Sequence, residues 1–370
     1  NRGTPYVFVA NIPDGTLFPY SMLVITETLA NLIPTLTRPL PLPYTWIIEA
    51  AGAAADRYLR NSHHVIEVEG RNFYRLNHIH AMHKTLYGFL PLSLVAFLYD
   101  TITTLQSQII GQYNYSLNKA LKKVKGNIVY FDFAALLEEL ALYPKDYGLA
   151  TTLVAHCTLG YSSRSCDFNS PYYHPESSLF SDWFHPSPEA HHMMAQNILA
   201  IFNAPLYISA IARDFSHLNE VRSFYLQGLI TTFPRGKIKP HLFAAVSNGN
   251  DQDTLWINSK RHSVNLLHFG VIQSINRHWT LGAALSLASE KVHPHTLLHY
   301  HVRYQAVSLL TQYQSEGPFY FNGNIALSHL DTRSIKRSVL IGPRLLNLSG
   351  QTEALGIAAL LRAGLQAPFR

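Results

Sequence analysis

The residues best equipped for chemistry lie in one stretch, Asp182-Trp183-Phe184-His185-Pro186-Ser187-Pro188-Glu189-Ala190-His191. An aspartate three residues ahead of a histidine supplies two of the three groups that serine-type acyl transfer needs. The imidazole takes the nucleophile's proton, while the carboxylate fixes its tautomer and stabilises its charged form. In that scheme His185 is general base and acid, and Asp182 orients it. A bare Asp-x-x-His pair is weak evidence in a chain with 20 histidines. The block gains specificity from the elements that must position it. Pro186 disfavours helix at His185. Ser187 and Pro188 fit the N-cap and first helical position of a following helix. Ala190, Met194, Ile198 and Ile201 recur there at helical spacing and predict one buried face. His191 and His192 then belong to the surface or packing of that helix.

The elements upstream alternate. Tyr6 to Ala10 is a continuous apolar run suited to a buried parallel strand. Ile110, Tyr113, Leu117, Leu121 and Val124 form a helical stripe that Gly126 can end. Asn127 to Phe131 reads as a second strand and Phe133 to Leu142 as another helix, an order that predicts an α/β unit with a doubly covered parallel sheet. Residues 15–105 interrupt it. Pro34, Pro39, Pro41 and Pro43 oppose regular structure there, and the stretch is rich in apolar and aromatic side chains. It reads either as a lid or lipid-facing insertion or, preferably, as a packed accessory subdomain. His78 and His80 would share a face only if their segment were extended. Without nearby cysteines or paired carboxylates, no metal or other cofactor is assigned. The apolar run from Leu86 to Tyr99 is short and broken by Pro91, and no run reaches the roughly 18 to 20 apolar residues of a spanning helix.

At Asp182 and His185 the chain resembles the last conserved block of the GDSL lipases and esterases, also called SGNH hydrolases. Tyr6-Val7-Phe8-Val9-Ala10-Asn11-Ile12-Pro13-Asp14 is similar to the family's strand and turn after its third block. Tyr115 to Leu121, Val129 to Asp132, and Ala150-Thr151-Thr152 are similar to the helix, strand and loop that lead to the catalytic pair. The resemblance covers residues 1–205, with the insertion at about 15–105. It implies a three-layer α/β fold lacking its N-terminal part, hydrolysis of carboxylic esters, and the Asp182 and His185 roles given above. The family's Gly-Asp-Ser-Leu block and its Gly and Gly-x-Asn-Asp oxyanion donors are expected ahead of residue 1, and no Gly-x-Ser-x-Gly elbow is present. Ser162, Ser163 and Ser165 sit in a polar loop and are not taken as nucleophiles. Losing one oxyanion donor alone costs about 10²–10³ in rate, so the chain by itself is expected to be inactive.

Beyond residue 234 the pattern changes to period two. Trp279, Leu281, Ala283, Leu285 and Leu287 alternate with His278, Thr280, Gly282, Ala284 and Ser286. Tyr300, Val302, Tyr304 and Ala306 alternate with His299, His301, Arg303 and Gln305. Phe319, Phe321, Ile325 and Leu327 alternate with Tyr320, Asn322, Asn324 and Ser328. A soluble sandwich also alternates. Strands of about nine to eleven residues with aromatic ends, apolar outside and polar inside, suit an antiparallel transmembrane β-barrel, and His299, His301 and Arg303 in succession suit a wet lumen. With a linker helix at 206–233 and the barrel at 234–370, the domain order is similar to a bacterial autotransporter. That resemblance implies an outer-membrane location, lipid around the barrel, and a passenger at the cell surface or secreted. Six strands are expected, near Lys239, Val264, Trp279, Tyr300, Phe319 and Leu355, about half of such a barrel. The barrel is therefore expected to be incomplete, and the chain expressed alone to aggregate or fail to insert.

Composition agrees with a chain of several domains. Charged residues are 14% and aromatics 12% of 370 residues, against a usual charged share of about 25%, which favours membrane contact. The net charge of +6 is dispersed, with no basic run or base-reading motif, so nucleic acid is discounted as a partner. Cys157 and Cys166 are too far apart for a C-x-x-C pair. They form a disulfide bracing the polar loop if the chain is exported, or remain two free thiols. Two functions stand: an autotransporter esterase or lipase acting on an ester or lipid, and a non-catalytic outer-membrane or surface protein that keeps the hydrolase fold.

Overall fold

The computed structural model describes residues 6–22, 24–26, 28, 44–85, 88, 90–233, 239–251 and 262–365. Pro34, Pro39, Pro41 and Pro43, and Leu86, Tyr87 and Phe89 of the apolar run, lie outside the described residues. The chain divides into two compact units, Asn1–Phe202 with Leu340–Arg344 and Asn203–Val339 with Leu345–Arg370.

In the first unit, β1 (Val7–Ala10) pairs in parallel with β2 (Ile128–Phe131), Val7 opposite Ile128. Between them in sequence lie, among others, the helices α1 (Tyr44–Arg60), α2 (Arg71–Thr85) and α3 (Leu92–Leu121). Helix α4 (Phe133–Leu142) starts where Asp132 accepts a hydrogen bond from the Ala135 N–H at 3.0 Å. Asn11 ties that cap to β1, donating from Nδ2 to Asp132 at 2.7 Å and accepting from the Ala134 N–H at 2.9 Å. Next come β3 (Thr151–Ala155) and β4 (Ser178–Phe180), also parallel. The parallel pairings follow the expected order, yet among the described residues they form two separate two-stranded sheets. Leu137, Leu140, Leu179 and Phe180 are wholly buried, as are Ala81, Met82 and Val95, so α2, α3, α4 and β4 all contribute to the core.

The described residues of the stretch read as an insertion are largely helical. Pro91, expected to break the apolar run, instead precedes α3 as its N-cap, the position where a missing N–H does no harm. The His78 segment is helical rather than extended, which puts His78 and His80 on different faces. His78 is buried, with Nδ1 3.1 Å from the Tyr99 hydroxyl.

Helix α5 (Pro188–Thr231) is a single helix of 44 residues that continues through Pro205. The linker helix expected at 206–233 falls on the second part of this helix, which begins beside the Asp182 block. By length and composition α5 could cross a membrane, which counting uninterrupted apolar residues did not reveal. On its first turns Ala190 and Met193 are buried, whereas Met194, Ile198 and Ile201 are only half-buried.

The second unit is an antiparallel meander of six strands, β5 (His241–Asp251), β6 (His262–Ser274), β7 (Trp279–His295), β8 (Leu298–Gln314), β9 (Phe319–Ile341) and β10 (Arg344–Leu365), ordered β10-β9-β8-β7-β6-β5. Among the described residues the sheet is open, with β5 and β10 at its edges. Within this unit the second part of α5 packs on one sheet face, Ile211 and Leu218 against Tyr300, Val302 and Tyr304, and Leu226 and Ile230 against Ile272 and Leu310. Leu281, Leu285, Ile325 and Leu327 are exposed while Thr280, Ser286, Asn322, Asn324 and Ser328 are buried, which is the apolar-outside, polar-inside pattern.

Strand β8 departs from that pattern at its start. Tyr300, Val302, Tyr304 and Ala306 are the buried face, and Arg303 is exposed with His299 and His301 half-buried. The wet-lumen reading of these three residues is therefore reversed. Farther along, Val307 and Leu309 are exposed and Ser308 and Gln312 buried. At 17 residues β8 is longer than the roughly nine to eleven that cross lipid. A polar outer face on the excess length costs nothing in water.

Candidate active site

The Asp182 block is a tight turn at the end of β4. Ser181 N–H donates to the His185 carbonyl at 2.8 Å and Ser187 N–H to Leu179 at 3.0 Å, so the chain doubles back on itself before entering α5. The Ser187 hydroxyl, fully buried, accepts from the Ala190 N–H at 3.1 Å and caps the helix. Beyond the end of β3, His156 N–H donates to Phe180 and Cys157 N–H to Ser181, at 2.9 and 2.8 Å. The turn is thus held from its own helix, from its own strand and from the neighbouring strand.

Within the turn, His185 Nδ1 lies 3.0 and 2.9 Å from the two Asp182 carboxylate oxygens. Asp182 is 1% exposed and the His185 side chain 60%. A carboxylate facing Nδ1 requires the proton on that nitrogen, which leaves the lone pair on Nε2. The carboxylate is fully occupied: Oδ1 also accepts from the N–H groups of Phe184 and His185 at 2.9 and 2.7 Å, and Oδ2 from the Ser163 N–H at 2.7 Å. Burial alone would push its pKa up. The backbone donors of His185, Ser163 and Phe184, with the imidazole, outweigh burial and hold it below the ordinary value. An imidazole steered in this way can accept a proton at Nε2 from a hydroxyl brought beside it. Among the described residues, no hydrogen bond to Nε2 is made.

The serines of the polar loop do other work. Ser165 Oγ and N both donate to the Ser162 carbonyl, at 3.1 and 2.9 Å, and Ser162 Oγ accepts from the Arg164 N–H at 3.3 Å. Cys157 and Cys166 form a disulfide with a Cα–Cα distance of 6.0 Å. His191 and His192 are exposed, and His191 Nδ1 lies 3.0 Å from the Ser187 carbonyl.

Three features have no motif in the sequence. Ser163 reaches Asp182 through its backbone. Phe18 and Tyr20, distant in sequence, join Trp183 and Phe184 in an aromatic shelf: Tyr20 stacks on Trp183 at 5.0 Å, Phe18 on Phe184 at 6.0 Å, and the Phe184 ring stands edge-on to His185 at 5.5 Å. His156, buried, lies with Nε2 3.3 Å from Glu189 and Nδ1 2.9 Å from the His174 carbonyl. Only adjacency in sequence, as for Trp183 and Phe184, could have flagged any part of this.

Two kinds of unit are therefore joined in one chain, a parallel α/β unit carrying an imidazole–carboxylate pair and an antiparallel sheet whose outer face suits lipid. Residues 50–198 match the family model of the GDSL-like Lipase/Acylhydrolase, and residues 242–370 match that of the Autotransporter beta-domain. The first match takes in α2 and the start of α3, which lie within the stretch read from sequence as an insertion. Over 93 residues the chain is 39% identical to Lipase 1 of Photorhabdus luminescens, a match that spans 23% of this chain and 14% of that relative. An autotransporter β-domain indicates an outer-membrane location with an exposed passenger.

Proposed function

We propose that this protein is a carboxylic ester hydrolase, an esterase or lipase of the outer-membrane autotransporter type, in which Asp182 and His185 are the acid–base pair of a Ser-Asp-His triad. The observation that carries the reading is a buried carboxylate, held by three backbone N–H groups, that grips Nδ1 of an exposed imidazole within the stretch similar to GDSL-like lipases. His185 takes the proton of an attacking serine at Nε2 and returns it to the leaving alcohol. Asp182 keeps the ring in the productive tautomer and stabilises the imidazolium. No serine of this chain is assigned as the nucleophile, and the 370-residue chain alone is expected to hydrolyse no ester. The aromatic shelf at Trp183, Phe184 and Tyr20 suits an apolar ester beside the imidazole.

The competing reading is a non-catalytic surface protein that keeps the hydrolase fold. Hydrolysis of p-nitrophenyl esters by the protein in its longest reading frame and by its His185→Ala variant separates the two. A loss of at least about 10³-fold in turnover is expected of the variant, and equal rates would remove the assignment.

A further inference from the structure

We infer that the Cys157–Cys166 disulfide is a positioning device for the proposed catalytic carboxylate, closing a loop in which Ser163 presents its backbone N–H to Asp182. The inference rests on the reading of Asp182 and His185 as the acid–base pair. The loop is anchored at one end beside the block itself, since the Cys157 N–H donates to the carbonyl of Ser181, the residue before Asp182, at 2.8 Å. The disulfide brings the other end, Cys166, back to that anchor. Helix α1 backs the same loop: a Cβ on Gly52 would stand 2.7 Å from the Leu159 carbonyl oxygen, so only glycine lets the helix come this close. Gly160 turns the chain with φ of 101°, a left-handed conformation that suits glycine. The Ser162 to Ser165 turn then delivers the Ser163 N–H to Asp182 Oδ2 at 2.7 Å.

Oδ2 has two partners, this N–H and the imidazole. The Phe184 and His185 N–H groups both sit on Oδ1 and come from the same turn as Asp182, so they follow it wherever it moves. Among the described residues, Ser163 is the one donor brought from another segment, 19 residues away. It fixes the second oxygen relative to the body of the unit, and the disulfide limits how far the loop can drift from it. The titratable side chain facing Asp182 is His185, and its remaining partners are backbone donors.

The test reads the dyad directly in the full chain, labelled with ¹⁵N-histidine, and needs no turnover. An Nδ1–H shared with a carboxylate gives a strongly deshielded proton resonance, assigned here by its loss in His185→Ala. On acidification it disappears when Asp182 is protonated. In Ser163→Pro, which deletes the N–H, and in the double variant Cys157→Ser with Cys166→Ser, the pH of disappearance is expected to rise by about one to two units, the worth of one charged hydrogen bond. In Ser163→Ala, which keeps the N–H, it is expected to stay in place.

An unmoved pH in both perturbed proteins would overturn the inference, as would an equal shift in Ser163→Ala. A shift in Ser163→Pro without one in the double cysteine variant would overturn the disulfide's part. A parent protein with no such resonance at any pH would instead remove the dyad, and with it the proposed function on which the inference depends.

Discussion

Replacing the Asp182 carboxylate by an amide of the same shape tests the site most severely. In Asp182→Asn one acceptor oxygen becomes an NH₂ group. If that group replaces Oδ2 it meets the Ser163 N–H donor to donor, and if it replaces Oδ1 it meets both the Phe184 and His185 N–H groups. The first arrangement does less harm, and it still leaves one buried donor without a partner, at about 1–3 kcal/mol. The bonds that remain lose their charge assistance, roughly 0.5–1.5 kcal/mol each. Relief of burying a charge offsets part of this, so a net loss of about 3 kcal/mol near neutral pH is expected from chemical denaturation of the first unit. The pH dependence sharpens the test. Because the folded carboxyl titrates below its ordinary value, its stabilisation is present above the unfolded pKa of about 3.9 and fades as pH falls through the folded one. The gap between parent and variant must therefore close in acid. In an active longer reading frame, turnover should fall by about 10⁴-fold, because the amide favours the wrong histidine tautomer. A stability gap that is absent, or that does not change with pH, would refute the reasoning.

Two further predictions concern buried groups away from the site. Burial lowers the His78 pKa to about 3, from an ordinary 6.5. The unfolded chain therefore binds a proton there that the folded one refuses, and the first unit loses up to about 5 kcal/mol as pH falls from about 6.5 toward 3. His78→Gln should flatten that decline in denaturation midpoints measured across the range, and an unchanged slope would count against the burial argument. In the sheet unit, Arg222 is wholly buried and spreads its donors over the hydroxyls of Tyr304, Ser308 and Ser223, at 3.0, 2.5 and 2.9 Å. Tyr304→Phe removes the Nε partner from a buried cation and should cost about 1.5–3 kcal/mol. The readout is a lower temperature at which the unheated protein loses its compact mobility on a gel, and no change would show that the Arg222 network contributes nothing to holding α5.

What could be read from the sequence, and what could not, divides along a physical line. The Asp-x-x-His-Pro-Ser-Pro block was legible because its parts are local. One turn brings the carboxylate to the imidazole, and Ser187 caps the helix through a bond spanning three residues. The Ser163 contact was not, because a backbone N–H carries no residue signature and its partner lies 19 positions away. The limit in the sheet is of another kind. Alternation in β8 announced two faces, but a period of two is symmetric and cannot say which face is inside. Tyr300, Val302 and Tyr304 face inward because Ile211 and Leu218 of α5 lie against them. Three residues beyond Tyr304, Val307 and Leu309 face outward on the opposite parity. Along one regular strand, then, the apolar residues lie first on the inner side alone and then, with Leu310 still inside, on both sides. No property of the strand alone encodes that change, which is set jointly by the helix packed on one face and the solvent or lipid on the other. Pro205 makes the same point in reverse. It reads locally as a helix breaker, yet α5 runs through it, so the few kilocalories that an interior proline costs are outweighed by what the helix gains on either side, including the burial of Leu226 and Ile230 farther along.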